Sequence, residues 1–185
     1  MGAGQNLDRS YINLDINKGP DITFWDCRKS LPFDDGSVDL LFAEHVLEHL
    51  EYRAETFVFL KECRRCLSQD GVLRIVVPDA ELLLSLYTRP WQDAVQIRGL
   101  EPVSESYYDG WLKTSYATKM EFINSAFRQG TEHKFMYDYE TLALHLRECG
   151  FTHVVRQSFG KSISSHRLLD LKAREPESLY VEATP

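Results

Sequence analysis

The sequence predicts an α/β fold, a mostly parallel sheet covered by helices on both faces. Three features predict it: β-rich runs alternate with helix-period runs, the longest apolar runs are nearly unbroken, and the early strand-like runs end in acidic residues. Tyr11-Ile12-Asn13-Leu14-Asp15 alternates apolar and polar residues, and Ile22-Thr23-Phe24-Trp25 is a second β-rich run closed by Asp26. The turn cluster Asp34-Asp35-Gly36-Ser37 leads into Val38-Asp39-Leu40-Leu41-Phe42-Ala43, which reads as a buried parallel strand. A helix is expected from about Glu44. Another is expected over Tyr52–Leu67, where Phe57, Leu60, Cys63 and Leu67 recur at helical spacing. Asp70-Gly71 turns the chain into a strand over Val72–Val77, ended by Pro78-Asp79, and Ala80–Tyr87 reads as a helix stopped at Arg89-Pro90. Residues 92–132 break this rhythm and contain one amphipathic helix with Tyr116, Met120, Ile123 and Phe127 on one face. Asp138 caps a helix burying Leu142, Leu146 and Cys149, with Gly150 just past its end. Strands at Thr152–Gln157 and Leu179–Ala183 follow.

At 185 residues the chain is expected to form one domain, 1–185, with 92–132 as an inserted cap. Its 43% hydrophobic and 26% charged residues place it among globular rather than disordered chains. No apolar run approaches the ~20 residues of a membrane span, and the N-terminus carries neither the basic nor the apolar region of a secretory signal. The expectation is a cytoplasmic protein with its four cysteines reduced. A net charge of −7 argues against a duplex-DNA binder. Cys63-Arg64-Arg65-Cys66 has no second pair and lies inside a helical pattern, which favours core packing over zinc or redox use.

Open parallel sheets bind ligands outside the carboxyl ends of their strands. There Gly2-Ala3-Gly4 forms a G-x-G turn whose amides can approach a ligand closely. A carboxylate at Asp15 suits two ribose hydroxyls, and one at Asp26 suits an adenine amino group. Taken singly, each acid is equally a strand end or a turn start.

With Leu31-Pro32-Phe33 and the string from Val38 through Glu44-His45-Val46-Leu47-Glu48-His49-Leu50, this set resembles class I S-adenosylmethionine-dependent methyltransferases. Phe59–Leu67 and Asp70–Asp79 continue the likeness, which covers residues 1–80 well and 133–183 loosely, and looks most like short bacterial forms. The resemblance implies a Rossmann-like sheet with an antiparallel last strand and a truncated first strand. It implies that Gly2, Ala3 and Gly4 border the methionine part of S-adenosylmethionine, that Asp15 takes the ribose, that Asp26 with Cys27 meets the adenine, and that Glu44 lies beneath the sulfonium. The family's glycine turn usually follows a hydrophobic strand, its third glycine is replaced near Asn6, and the stretch from Gly4 to Asp15 is too short for the usual first helix.

His45, Glu48 and His49 stand at i, i+3 and i+4, one face of a helix. The pentad matches the H-x-x-E-H of zinc peptidases, yet it follows a buried strand inside the methyltransferase-like string. It is more similar to the E-x-x-E-H ligands of metal-dependent small-RNA and ubiquinone-pathway O-methyltransferases, with Glu132-His133-Lys134-Phe135 in place of the segment supplying their last ligand. That likeness implies a divalent transition metal on His45, Glu48, His49 and His133, with zinc, nickel, cobalt or manganese preferred over magnesium. The plainer reading is that Glu48 and His49 merely cap the helix start. His45 and His133 are also the candidate catalytic bases, since imidazole titrates near neutrality. Trp91, Tyr107, Tyr108, Trp111 and Tyr116 make either a local core or a stacking face for an acceptor. The expected function is methyl transfer to a small-molecule or sugar (glycan) hydroxyl; a non-catalytic S-adenosylmethionine-fold binding module is the alternative.

Overall fold

A computed structural model describes residues 1–4, 7–90 and 118–185. Two short strands, β1 (Leu14–Asp15) and β2 (Thr23–Phe24), pair in parallel with Leu14 opposite Thr23. A separate sheet holds β3 (Val38–Glu44), β4 (Leu67–Pro78), β5 (His153–Gln157) and β6 (Ser178–Thr184) in the order β3-β4-β6-β5. β3 and β4 are parallel, and β6 runs antiparallel to both β4 and β5. The last strand is therefore the reversed one, as the resemblance implied.

The helices are α1 (Ala54–Cys66), α2 (Ala80–Ser85), α3 (Lys119–Arg128) and α4 (Tyr139–Glu148). α4 starts where the sequence places it: Asp138 accepts a hydrogen bond from the Thr141 amide at 2.8 Å. It ends at Cys149, with Gly150 at φ 94° beyond. One face of the larger sheet, with Leu41, Ala43, Leu73, Ile75, Val77 and Val181, shares a core with Phe59, Leu60 and Cys63 of α1 and Leu142 and Leu146 of α4. Cys63 and Cys66 are buried, free thiols in that core.

On the opposite face Arg74 pairs with Glu182 across the β4–β6 ladder. Arg74 reaches Asp170 at 2.6 Å and Glu182 at 2.9 Å, and donates to the carbonyls of Ser158 and Lys161. This ion network clamps segment 158–171 over the sheet.

Several boundaries differ from the sequence reading. No helix starts at Glu44, because Glu44 pairs with Val76 and the His45 amide still bonds the Val76 carbonyl at 2.8 Å, so β3 continues to the end of its ladder. The spacing His45-Glu48-His49 is consequently not one helical face. His45 has φ 52°, and only a 3₁₀ turn over Leu47–His49 follows. β4 begins at Leu67, directly after α1, with Asp70-Gly71 inside it. Its register against β3 jumps between the Val38–Leu67 and Leu40–Val72 pairs. A Cβ on Gly71 would lie 2.8 Å from the Val38 carbonyl oxygen, so glycine alone permits this close crossing. α3 buries Phe122, Ile123 and Ala126, leaving Met120 half exposed. The expected cap over 92–132 and its aromatic cluster fall largely outside the described residues; α3 is its described end.

Candidate active site

The carboxyl ends of β1 and β3 meet the start of the chain. The Gly4 amide donates to Asp15 Oδ2 at 2.9 Å, the Asn17 amide to Oδ1 at 2.7 Å, and the Ala3 amide to the Leu14 carbonyl at 3.3 Å. Each Asp15 oxygen thus carries one amide and keeps a second lone pair, which is what two ribose hydroxyls require. At Gly2 the backbone is left-handed (φ 64°), and a Cβ would lie 2.3 Å from Val46 Cγ2. A side chain there would collide with the residues after β3, so the turn is built to pass close under the strand ends. The Met1 amine donates to the Phe42 carbonyl at 2.6 Å, tying the turn to β3. A cleft opens between this turn, Asn13, Phe42 and Glu44 on one side and Leu169, Leu171 and Arg174 on the other. Glu44 accepts from the Leu171 amide at 3.2 Å, and burial raises its carboxyl above the usual range.

Asp26, just beyond β2, does not present a bare carboxylate. Arg28 clamps it through Nε and Nη2, each at 2.8 Å, and the Arg28 amide adds a third bond at 3.1 Å. The guanidinium holds the Asp26 carboxyl below its ordinary value. Cys27 is partly buried against the core, and burial pushes its thiol up to about 11.

Beyond β3, the structure brings Glu48, His49 and His133 together: one donor atom from each lies within 4.8 Å of the others. The His49 and His133 rings stand edge to face, centroids 4.9 Å apart. Their approach is fixed by backbone, because the Lys134 amide donates to the Glu48 carbonyl at 2.7 Å. His49 Nδ1 bonds the Glu132 carbonyl at 3.2 Å and His133 Nδ1 bonds the Ala126 carbonyl at 2.9 Å. A carbonyl can only accept, so both Nδ1 atoms carry hydrogen and the lone pair of each neutral ring is on Nε2. Desolvation favours neutral His49 by lowering its pKa. Glu48 is fully buried, neither of its oxygens has a hydrogen-bond partner among the described residues, and burial drives its carboxyl up to about 8.

His45 lies outside that group of three. Its Nε2 is 3.0 Å from Ser178 Oγ and its Nδ1 is 3.5 Å from Glu48 Oε1. Ser178 was not among the sequence candidates; its pairing with Pro78 at the β6 start brings it to the same end as Glu44, a juxtaposition set only by the ladder.

Residues 9–75 match the family profile described as a methyltransferase domain. A comparison with curated protein sequences finds no match. Among solved structures, an S-adenosylmethionine-dependent methyltransferase from Archaeoglobus fulgidus is similar at TM-score 0.52 and 16% identity, over 94% of this chain and 75% of that one. Another, from Thermotoga maritima, is similar at TM-score 0.50 and 16% identity, over 88% and 63%. A Bordetella parapertussis protein aligns at TM-score 0.47 and 14% identity over 89% of this chain, which spans only 44% of its length. Residues 9–75 are thus similar to a methyltransferase domain, and the fold is similar to that of S-adenosylmethionine-dependent methyltransferases.

Proposed function

We propose that this chain binds S-adenosylmethionine at the glycine turn and methylates a hydroxyl of a small molecule or sugar. The observation that carries the reading is the Gly2–Gly4 turn held on Asp15, lining one cleft with Glu44. S-adenosylmethionine supplies an electrophilic methyl group on sulfur. The chain's part is to hold the ribose on Asp15, to place Glu44 opposite the cationic end, and to align the acceptor, which replaces a bimolecular encounter. The acceptor's proton goes to a histidine: His133, whose Nε2 carries the lone pair, or His45, steadied by Ser178 and Glu48. Calorimetry with S-adenosylhomocysteine followed by a methyl-release assay against hydroxylated acceptors tests this. Micromolar binding with turnover supports it, binding without any turnover favours the non-catalytic module, and no binding removes both.

A second reading rests on Glu48, His49 and His133. A buried carboxylate with no hydrogen-bond donor among the described residues, beside two imidazoles whose Nδ1–H groups are fixed by carbonyls, suits a borderline divalent ion such as zinc, cobalt, nickel or manganese. Such an ion supplies Lewis acidity toward an acceptor oxygen. For His133 the base and ligand roles exclude each other, since a coordinating nitrogen has no lone pair left for a proton. Cobalt absorption spectra separate them: a d–d band lost in His49→Ala with S-adenosylhomocysteine affinity kept supports the metal, and no band refutes it.

A further inference from the structure

Segment 158–171, between β5 and β6, supplies part of the cleft wall opposite the glycine turn, and its ends are held differently from its middle. Buried charge pins the ends. Glu182 accepts from the Ile163 amide at 2.8 Å and from Ser162 Oγ. Asp170 accepts from Arg74 Nε at 2.7 Å, from Arg74 Nη2 at 2.6 Å and from the Gly160 amide at 2.9 Å. The side chains of Arg74, Asp170 and Glu182 are almost wholly buried, so releasing them would strand charge. The middle, 164–169, meets the other wall at the surface. Arg167 pairs with Asp8 at 2.9 Å, and its carbonyl accepts from the Tyr11 hydroxyl at 2.7 Å. The Arg167 side chain is 77% exposed, so water competes for that pair.

These surface contacts span the cleft. Asn13, on the glycine-turn wall, holds the Asp8 and Tyr11 carbonyls through Nδ2 at 3.0 and 3.3 Å. Leu169, two residues after Arg167, lines the facing wall. We propose that 164–169 is a gate on the cofactor cleft, hinged at Ile163 and Asp170 and latched by Arg167 on Asp8 and Tyr11. This rests on the cofactor reading above. Opening carries Leu169 away from the mouth, whereas Leu171 stays, because its amide bonds Glu44 at 3.2 Å. A gate must open in every binding event, which a latch made in water permits and a buried one would not.

The test uses Tyr11→Phe and Asp8→Asn, singly and together, in the full chain. Neither residue lines the cleft, and Asp8→Asn keeps an oxygen for the Ser10 amide and hydroxyl. Rapid-mixing kinetics with S-adenosylhomocysteine should show association and dissociation both faster by about three- to tenfold in the double variant. Kd should stay within about twofold, since losing the latch favours the open form with or without ligand. Amide hydrogen exchange should quicken over 165–169 and stay unchanged at Gly160, Ile163 and Leu171. Faster dissociation with unchanged association makes the latch a ligand contact and overturns the gate. Unchanged rates, or unchanged exchange over 165–169, also overturn it while leaving the cofactor reading intact. Failure of the unaltered chain to bind S-adenosylhomocysteine overturns the cofactor reading and the gate with it.

Discussion

Replacing Glu48 by glutamine should flatten the pH dependence of stability, because a fully buried carboxyl is expensive to ionise. Burial moves it from 4.5 to about 8. Its folded-state pKa is raised, so the folded chain holds the proton more tightly than the unfolded chain does. The resulting stabilisation is complete below pH 4.5, declines as pH rises, and is gone above about 8. At 1.36 kcal/mol per pH unit that interval amounts to at most about 5 kcal/mol, reduced by any water that reaches the carboxylate. Against a typical domain stability of about 5–15 kcal/mol the effect is large. His49 and His145, both lowered by burial, act in the opposite sense: their stabilisation is present above 6.5 and lost as pH falls through their depressed values. Glu48→Gln leaves them in place, so they cancel to first order in the difference between the two proteins. Urea unfolding with chelator present, from about pH 5 to 9, should show the unaltered chain losing stability relative to Glu48→Gln by a few kcal/mol. Zinc should abolish the decline in the unaltered chain if the ion binds, since a cation favours the carboxylate. Parallel curves in chelator would refute the reasoning, because they would mean that the charge on Glu48 is already solvated.

Asp15→Asn keeps an oxygen for only one of the Gly4 and Asn17 amides, turns its own amide donor on the other and loses the charge, so S-adenosylhomocysteine should bind roughly tenfold more weakly and the melting temperature should fall; equal affinity by calorimetry would remove Asp15 from the site. Arg74→Met strands the buried carboxylates of Asp170 and Glu182, and urea unfolding should report a loss of about 3–5 kcal/mol. Gly71→Ala pushes a methyl group to 2.8 Å from the Val38 carbonyl oxygen, a backbone atom that cannot swing aside. It should cost about 1–3 kcal/mol by chemical denaturation, and a neutral result would mean that β3 and β4 slide to accommodate it.

Local chemistry made much of this legible beforehand. Asp138, Thr141 and Gly150 bound α4 through contacts a few residues apart, and the Asp15 carboxylate announces itself as an acid ending a β-rich run after a glycine turn. What escaped is set by pairing partners distant in sequence. The ladder from Glu44 to Val76 carries β3 past the point where helix spacing begins, and the same ladder lengthens β4 back to Leu67. Arg74 is the one charge in the apolar run Val72–Val77, and its acceptors Asp170 and Glu182 lie 96 and 108 positions away. The Arg28 clamp on Asp26 was readable at two residues' separation, since an arginine so close to an acid competes with any ligand for it.

The backbone at His45 explains how the chain passes from the cleft at Glu44 to the histidine cluster. β3 delivers Glu44 to the cleft, and one residue later the chain must leave the ladder toward the turn that buries Glu48. A left-handed conformation at a residue with a Cβ costs about 1–2 kcal/mol, and glycine would avoid that cost. Histidine at φ 52° instead gains contacts glycine cannot make, Nε2 with Ser178 and Nδ1 beside Glu48. The ring therefore bridges the antiparallel strand β6 to the buried carboxylate, and the strain is held at the one position between the two halves of the site. Both His45 nitrogens thus face side chains, Ser178 and Glu48, whereas the Nδ1 atoms of His49 and His133 bond backbone carbonyls. The three histidines are thus inequivalent in the partners that hold their rings.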